Sequence, residues 1–552
     1  MPSVILNKET VLKLVGKKIP DDKLKERISM LGTDLDSIEG NEIDVEIFPN
    51  RPDLLSEQGF ARALGSFMGF KKGLRKYEVK KGGKDYRVII DKSVEKVRPF
   101  TACAIVKNLK FDDEKIREII QIQEKLHVTY GRNRKKCAIG VYPLEKIKLP
   151  IHYVAKKPKD VKFVPLEMNK EMDGLQILSR HPAGRDYAHL LEGLSKFPFF
   201  MDGSGSVLSM PPIINSHHTG KISEDTKEVF IEFSGFDYDV VSTGLNMVVT
   251  ALADMGGEIY EMKLEYGKKK LNSPNLKPWE LKFDSDYINN LLGLKLSKKE
   301  MQDCLEKMGY GCKGNVALVP AYRADVLHQV DLAEDIAIAY GYENVDCIIP
   351  NVATVAEEDH FEIFKNRIAT ILAGASLLET KTYNLTNKDV QTKMMGVEIE
   401  NVEIANALNL EYNVLRSWVT PCLMKVLNDN RQHEYPQRIF TIGRIFKKDG
   451  LTETGTSEAD RLGVALCDAE TDFTKIRQIL DLLMDALNLE YDVEETEHDS
   501  FVPGRVGRVL VNGKKVAYIG EMHPQVLENF ELEMPVSVLE LNLSDLFDSF
   551  SL

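Results

Sequence analysis

No two cysteines of this chain are spaced as C-x-x-C, and no close His/Cys cluster accompanies the seven cysteines among its 552 residues. That absence removes the usual zinc ligand sets. The odd, scattered set (Cys103, Cys137, Cys304, Cys312, Cys347, Cys422 and Cys467) reads as free thiols of a reducing compartment rather than as disulfides. Long hydrophobic runs are missing too: none approaches the roughly 18–20 apolar residues of a spanning helix. The opening MPSVILNKET lacks a basic segment followed by an apolar one, so no secretory signal is expected. A cytoplasmic chain without membrane contact is the expectation. Positive charge is also short, with 72 Lys and Arg against 85 Asp and Glu and a net charge of −13. A uniformly basic nucleic-acid sleeve is thereby excluded. Local basic runs remain at Lys71–Lys84, Gly131–Lys136 and Lys156–Lys159, and each reads more readily as solvated surface than as a phosphate track. The 43% hydrophobic and 28% charged content is that of an ordinary globular chain, long enough for roughly three to five domains.

The most informative stretch is PAYRADVLHQVDLAEDIAIAYGY, Pro320–Tyr342. Its second half has helical periodicity in Leu332, Ile336 and Ala339/Tyr340, with Gly341 as a stop. Asp331, Glu334 and Asp335 stand at i, i+3 and i+4, so they share a helix face, and Asp325 lies six residues upstream. Like charges so placed cost roughly 0.2–0.5 kcal/mol per pair when exposed. The spacing admits two offsets: the positive end of the helix dipole under a solvated acidic face, or a hard cation such as Mg²⁺, which takes oxygen ligands and keeps several waters.

The run P-A-Y-R-A-D, then L-A-E-D and Y-G-Y, resembles the winged-helix-like fifth domain of phenylalanyl-tRNA synthetase beta chains. The resemblance implies a Mg²⁺ site formed by Asp325, Asp331, Glu334 and Asp335 and completed by an alpha chain. P-N-R-P-D (Pro49–Asp53) resembles the first domain of the same family and reads as structural.

Around these motifs the chain divides into four expected parts. Residues 1–85 form an N-terminal α/β domain, with a helix starting near Asn7, a second ending at Gly32, and the strand EIDVEIFP. Asp53 is a candidate cap for the next helix, and Gly59 lets that helix pack closely. The Lys/Gly-rich segment before Tyr86 reads as a linker. In residues 86–268, SVLSMPPIIN and the alternating strand EVFIEFSG are joined by SHHTGKISEDT. His217 and His218 read as an exposed pair pointing opposite ways from a strand. This part resembles the family's editing module, where tyrosine misattached to the tRNA for phenylalanine is hydrolysed. By resemblance Asn215, Ser216 and Asp237 line its pocket. Phe236 stands where many relatives carry threonine. Residues 269–348 hold two short helices, the second opened by the capping box Ser297-x-x-Glu300, and the acidic helix, in a winged-helix-like order.

Residues 349–552 mix helices with antiparallel strands, including a hairpin at Asn512-Gly513 and a helix broken at Pro421. Their order resembles the class II synthetase fold, yet its ATP-binding arginine motifs are missing: the first place reads Arg438-Ile-Phe-Thr441. The fold class is thus α+β and multidomain: an editing module, a winged-helix-like domain and a class II-like antiparallel sheet without catalytic motifs. The resemblance implies a beta subunit of the archaeal/eukaryotic type, without the ferredoxin-like anticodon domain of bacterial relatives. Its alpha2-beta2 heterotetramer would ligate phenylalanine to its tRNA with ATP and Mg²⁺. ATP and phenylalanine would bind mainly to the alpha chain, with no residue of this chain catalysing aminoacylation. Two other readings stay open: a non-catalytic RNA- or protein-binding scaffold, and a free-standing Mg²⁺ hydrolase.

Overall fold

The computed structural model describes residues 2–352 and 355–548 and divides into two units, residues 1–349 and 350–552. It is a mixed α/β, multidomain architecture. Among the described residues no helix is long and apolar enough to cross a membrane.

The first unit opens with β1 (Ser3–Asn7), α1 (Lys8–Val15), α2 (Asp21–Met30), β2 (Asp34–Glu39) and β3 (Glu42–Glu46), the strands pairing in the order β1-β3-β2. Asn7 caps α1 through a hydrogen bond from the Thr10 amide. Next comes α3 (Glu57–Phe67). Its cap is Ser56, whose hydroxyl accepts from the Gly59 amide. Asp53, the expected cap, is instead drawn into a two-pronged ion pair with Arg51, because a buried carboxylate beside a guanidinium gains more than one amide can offer. Gly59 is needed where it stands, since a Cβ there would meet the Asp53 carbonyl oxygen at 1.9 Å.

The segment expected as a linker is tied down. Lys72 pairs with Asp303, the Tyr77 hydroxyl donates to Asp254, and β4 (Val79–Lys80) joins a sheet. Lysine and glycine content conceals such tethers, because the residues that make them are single aromatic and charged side chains spaced without period.

The large sheet of this unit uses β5 (Arg87–Ile90), β6 (Phe100–Lys107), β7 (Cys137–Pro143), β8 (Ile151–Lys156), β9 (Phe197–Met201), β10 (Val207–Met210), β11 (Ile214–Asn215), β12 (Val229–Gly235) and β13 (Glu258–Tyr266). Their order is β11-β10-β9-β8-β5-β13-β6-β12-β7. Helices α4 (Asp113–Val128) and α6 (Tyr238–Asp254) pack against β6, β7 and β12. Between them, α5 (His217–Gly220) is one turn of helix inside the expected loop, and both His217 and His218 are exposed as expected. Every residue of β12 is buried, since this strand lies between β6 and β7.

The first unit ends with a small antiparallel sheet, β14 (Trp279–Lys282), β15 (Gly311–Lys313) and β16 (Val316–Val319), in the order β14-β16-β15. Around it lie α7 (Ser285–Leu292), α8 (Lys298–Lys307) and α9 (Gln329–Tyr340). The Ser297/Glu300 capping box forms at α8. Gly341 ends α9 with φ +95°.

The second unit is a seven-stranded sheet covered on one face by α10 (His360–Gly374), α12 (Phe473–Leu487) and α14 (Leu543–Asp548). Its strands are β17 (Leu378–Glu379), β18 (Gln437–Lys448), β19 (Thr456–Cys467), β20 (Asp492–Glu495), β21 (Phe501–Val511), β22 (Lys514–Met522) and β23 (Val536–Asn542), in the order β17-β18-β19-β23-β22-β21-β20. The β21–β22 hairpin turns at Asn512 and Gly513, both with positive φ. On the other face, α11 (Thr420–Asp429) and α13 (Pro524–Asn529) pack over one end only. Pro421 starts α11 rather than breaking it, as a first-turn proline gives up no helical hydrogen bond.

Candidate functional site

Two places in the first unit gather chemistry. The first is where β16 turns through Arg323 into α9. His328 caps the helix, and Asp331 in its first turn accepts from the Leu327 and His328 amides, each at 2.7 Å. Arg323, 5% exposed, grips Asp325 with two bonds of 2.8 and 2.7 Å and reaches Asp335 at 2.8 Å. The Tyr310 hydroxyl also donates to Asp335.

Glu334 has no such partner among the described hydrogen bonds. Burial, and then Asp335, Asp325 and Asp331, raise its pKa. All four acids line one cavity of about 250 Å³, closed on the far side by Ser29–Gly32, Phe48, Asn50 and Arg51. The four carboxylates thus converge, but unequally. Arg323 takes up Asp325 and part of Asp335, backbone amides take one oxygen of Asp331, and Glu334 is left with both oxygens available. Among the described residues no group of three His, Cys, Asp or Glu side chains is arranged to hold a metal ion. The donor chemistry, oxygen only and net negative, suits a hard cation.

The second place is a cavity of about 90 Å³ between α4, β7, the β10–β11 turn and β12. Its floor is Glu232, 2% exposed. One carboxyl oxygen accepts from the Tyr142 hydroxyl at 3.2 Å and faces the Ser209 hydroxyl at 3.5 Å. The other oxygen is buried without a partner. Desolvation pushes the Glu232 pKa up to about 8, against the pull of Tyr142 and Arg98, so near neutral pH the group is mostly an uncharged acid with a proton to donate. Gly140 lies directly across from Glu232; a Cβ there would fall 2.0 Å from the Tyr142 oxygen and 2.7 Å from Glu232.

The walls mix apolar side chains, among them Ile139, Leu166 and Ile213, with polar ones whose positions are fixed. The His127 Nε2 accepts from the Ile139 amide at 2.8 Å, which places the ring proton on Nδ1 toward Glu124, and burial lowers its pKa. Arg134 donates to the Ile213 carbonyl at 2.8 Å and to Glu124 at 3.2 Å. It ends three successive left-handed residues, Arg132, Asn133 and Arg134, with φ of 48°, 52° and 65°.

Of the residues expected at a pocket here, Asn215 lines this cavity and accepts from Tyr142 at 3.3 Å. Ser216 is buried beside it, its amide bonded to the Leu208 carbonyl, and is not among the lining residues. Asp237 is exposed and caps α6, accepting from the Asp239 and Val240 amides at 2.8 and 3.2 Å. Glu232, Tyr142, Ser209 and His127 escaped sequence reasoning. In EVFIEFSG the glutamate falls on the polar phase of an alternating strand, which reads as the solvent side. Its face is buried because Phe230 and Tyr142 share a core with Phe200 of β9 and Leu208 of β10, and Ser209 of β10 reaches Glu232 itself, contacts absent from any local pattern.

With this geometry described, comparison with known proteins defines a class. Residues 281–342 match the family described as "tRNA synthetase B5 domain", and residues 347–543 match "Phenylalanyl tRNA synthetase beta chain CLM domain". The chain is thus built from modules of aminoacyl-tRNA synthetases. It is 41% identical over 560 residues to the "Phenylalanine--tRNA ligase beta subunit" of Pyrococcus furiosus, covering 99% of this chain and 100% of that one. It is also 41% identical over 557 residues to the protein of the same description from Pyrococcus horikoshii, covering 99% of this chain and 100% of that one. A solved N-terminal fragment of the Pyrococcus horikoshii phenylalanyl-tRNA synthetase beta subunit aligns with TM-score 0.59 and 38% identity, covering 61% of this chain and 99% of the fragment. The chain belongs to the phenylalanine–tRNA ligase beta subunit family.

Proposed function

We propose that this chain serves a cytoplasmic alpha2-beta2 phenylalanine–tRNA ligase as its assembling and editing subunit. The alpha chain would bind ATP and phenylalanine and join the amino acid to its tRNA, while this chain would hydrolyse tyrosine misattached to that tRNA. In this reading residues 1–85 form the N-terminal domain, 86–268 the editing domain, 269–348 the winged-helix-like domain and 349–552 a class II-like scaffold without catalytic motifs.

The observation that carries the editing role is Glu232, a buried acid with one unpartnered oxygen at the floor of a small cavity. A hydrophobic slot refuses an added hydroxyl poorly, whereas a site with buried polar groups discriminates strongly, because an apolar substrate leaves those groups unpaired. Glu232, held protonated, would bond the phenol hydroxyl of a tyrosyl ester, while Tyr142 holds its other oxygen from behind. Asn215 would help to place the substrate beside them. Ser216 shapes the wall through its backbone, and Asp237, at the mouth of α6, would act on the tRNA end or on water.

The acidic cavity is the proposed Mg²⁺ site. Glu334 would hold the ion with water, and Asp331 and Asp335 would have to turn their free oxygens toward it, since the three are not arranged as a ligand set, Asp325 remaining on Arg323. Bound there, the ion would supply charge neutralisation between α9 and the Ser29–Arg51 wall.

The test uses the complex assembled from both chains. Glu232→Ala should leave aminoacylation near its starting rate and lower hydrolysis of tyrosyl-tRNA about tenfold or more, the loss of one buried polar contact. Undiminished hydrolysis would remove Glu232 from the site. Asp237→Asn keeps a capping side chain, so a slower hydrolysis in that variant would assign Asp237 a part beyond the cap, and an unchanged rate would leave it as a cap alone.

A further inference from the structure

The uncovered half of the second unit's sheet contains a cavity of about 390 Å³, within the roughly 300–1,000 Å³ range of small-molecule sites. Three sides are aromatic. The His498 ring meets Phe501 and Tyr518 edge-on, each with centroids 5.1 Å apart, and leans on Trp418 at 5.8 Å. The Trp418 indole N–H is already spent on the Gln391 carbonyl, so it offers the cavity only a ring face and edge.

The polar groups are unbalanced in one direction. Glu540 is fully engaged: Arg461 reaches it at 2.7 Å, and the Val419 and Thr420 amides donate to it at the start of α11. Lys448 is paired with Glu400 at 3.0 Å. Three donors are left over. The Arg461 Nε is buried with no acceptor. The His498 Nδ1 accepts from the Ser500 amide, which leaves the proton on Nε2, and burial lowers the ring's pKa. Lys447 is exposed at its end of β18 and has no ion-pair partner among the described residues, and desolvation of its ammonium together with Arg461 lowers its pKa. Surplus donors beside edge-on and leaning aromatic rings, with every lining carboxylate already satisfied, describe a receptor for an anion that carries an aromatic group.

We propose that this cavity, walled by Trp418, His498, Phe501 and Tyr518 and supplied with unpaired donors by Lys447, His498 and Arg461, binds a small aryl molecule bearing one anionic group. The ring enters between Trp418 and Tyr518, and the anion lies toward Lys447 and Arg461. This site rests on the second unit alone and stands whether or not the first unit edits.

The chain has two tryptophans, so Trp279→Phe in the full-length chain leaves Trp418 as the only indole reporter. The probe is 3-phenylpropanoate, with the uncharged 3-phenylpropanamide beside it, titrated against Trp418 fluorescence on the chain alone and on its complex with the alpha chain. Saturable quenching in both preparations is expected. The Kd should be about tenfold or more higher for the amide and for Lys447→Met, the loss of one charge-assisted contact. Tyr518→Leu should weaken the acid and the amide alike, while Lys448→Met should change either Kd less than about twofold, as expected of an exposed, already paired charge. Absence of saturation at millimolar probe, equal Kd for acid and amide, or an unchanged Kd in Lys447→Met would each overturn the proposal. So would binding to the isolated chain that the alpha chain abolishes, which would make the cavity part of a protein interface.

Discussion

Glu232 and Glu540 occupy matching places in the two units. Each sits in an inner strand of a sheet, each is at most 6% exposed, and each faces a glycine in the neighbouring strand, Gly140 and Gly463 respectively. What fills the space left by the glycine separates them. Opposite Glu540, Val419 lies over Gly463, where a Cβ would meet it at 2.7 Å. The start of α11 thereby comes close enough to give the carboxylate two amides and the Thr420 hydroxyl, and Arg461 completes the set. Opposite Glu232, the space goes to the Tyr142 hydroxyl, and the second carboxyl oxygen finds nothing. One buried acid is a fixed anion that anchors a helix. The other is an incompletely bonded acid whose pKa rises to about 8. Burial alone therefore does not mark a functional carboxylate; the shortfall of donors does.

Three substitutions would break or sharpen that contrast. The largest effect belongs to Glu540→Ala, which strands Arg461 and two helix amides in the interior and should cost roughly 3–5 kcal/mol, read from urea denaturation followed by Trp418 fluorescence. A loss below about 1 kcal/mol would mean that the anion anchors nothing.

Glu232→Gln should act in the opposite direction and depend on pH. The native chain retains a proton that the unfolded chain releases between the ordinary value of 4.5 and about 8. Stability from this group is therefore complete below the lower value and falls as pH rises through that window. The amide removes that slope, so the two proteins should match near pH 4.5. By pH 8 and above the variant should be ahead by roughly 2–4 kcal/mol, seen as a higher Tm. Parallel stability–pH curves would show that Glu232 is not held protonated.

Smaller again, Gly140→Ala should cost about 1–3 kcal/mol through overpacking against Tyr142 and Glu232. It should also depress tyrosyl-tRNA hydrolysis in the complex more than aminoacylation. An equal loss in both activities would point to general destabilisation instead.

The same contrast explains what could be read from the chain and what could not. Features fixed by neighbours in sequence were legible: the helix start near Asn7, the Ser297/Glu300 box, the stop at Gly341, the Asn512-Gly513 hairpin and the shared face of Asp331, Glu334 and Asp335. Features fixed by distant partners were not. Asp53 looks like a cap until Arg51 and a buried setting claim it. The lysine- and glycine-rich segment looks loose until Tyr77 meets Asp254 across 177 positions. Glu232 looks solvated until Phe200, Leu208 and Ser209, from strands β9 and β10, pack on its face of the sheet. In the acidic quartet, spacing places the carboxylates together but says nothing of Arg323, whose guanidinium serves Asp325 and Asp335 at once.

The left-handed run at Arg132, Asn133 and Arg134 bears on how this chain can diverge. Such backbone is disfavoured by roughly 1–2 kcal/mol per residue for most side chains, with glycine, asparagine and aspartate excepted, and branched β-carbons fit it worst. Arg132 and Arg134 hold this backbone although neither belongs to that set, so the surrounding structure carries the cost. One wall of the Glu232 cavity is thus held in place by backbone geometry, so its shape can persist while the surrounding surface changes freely.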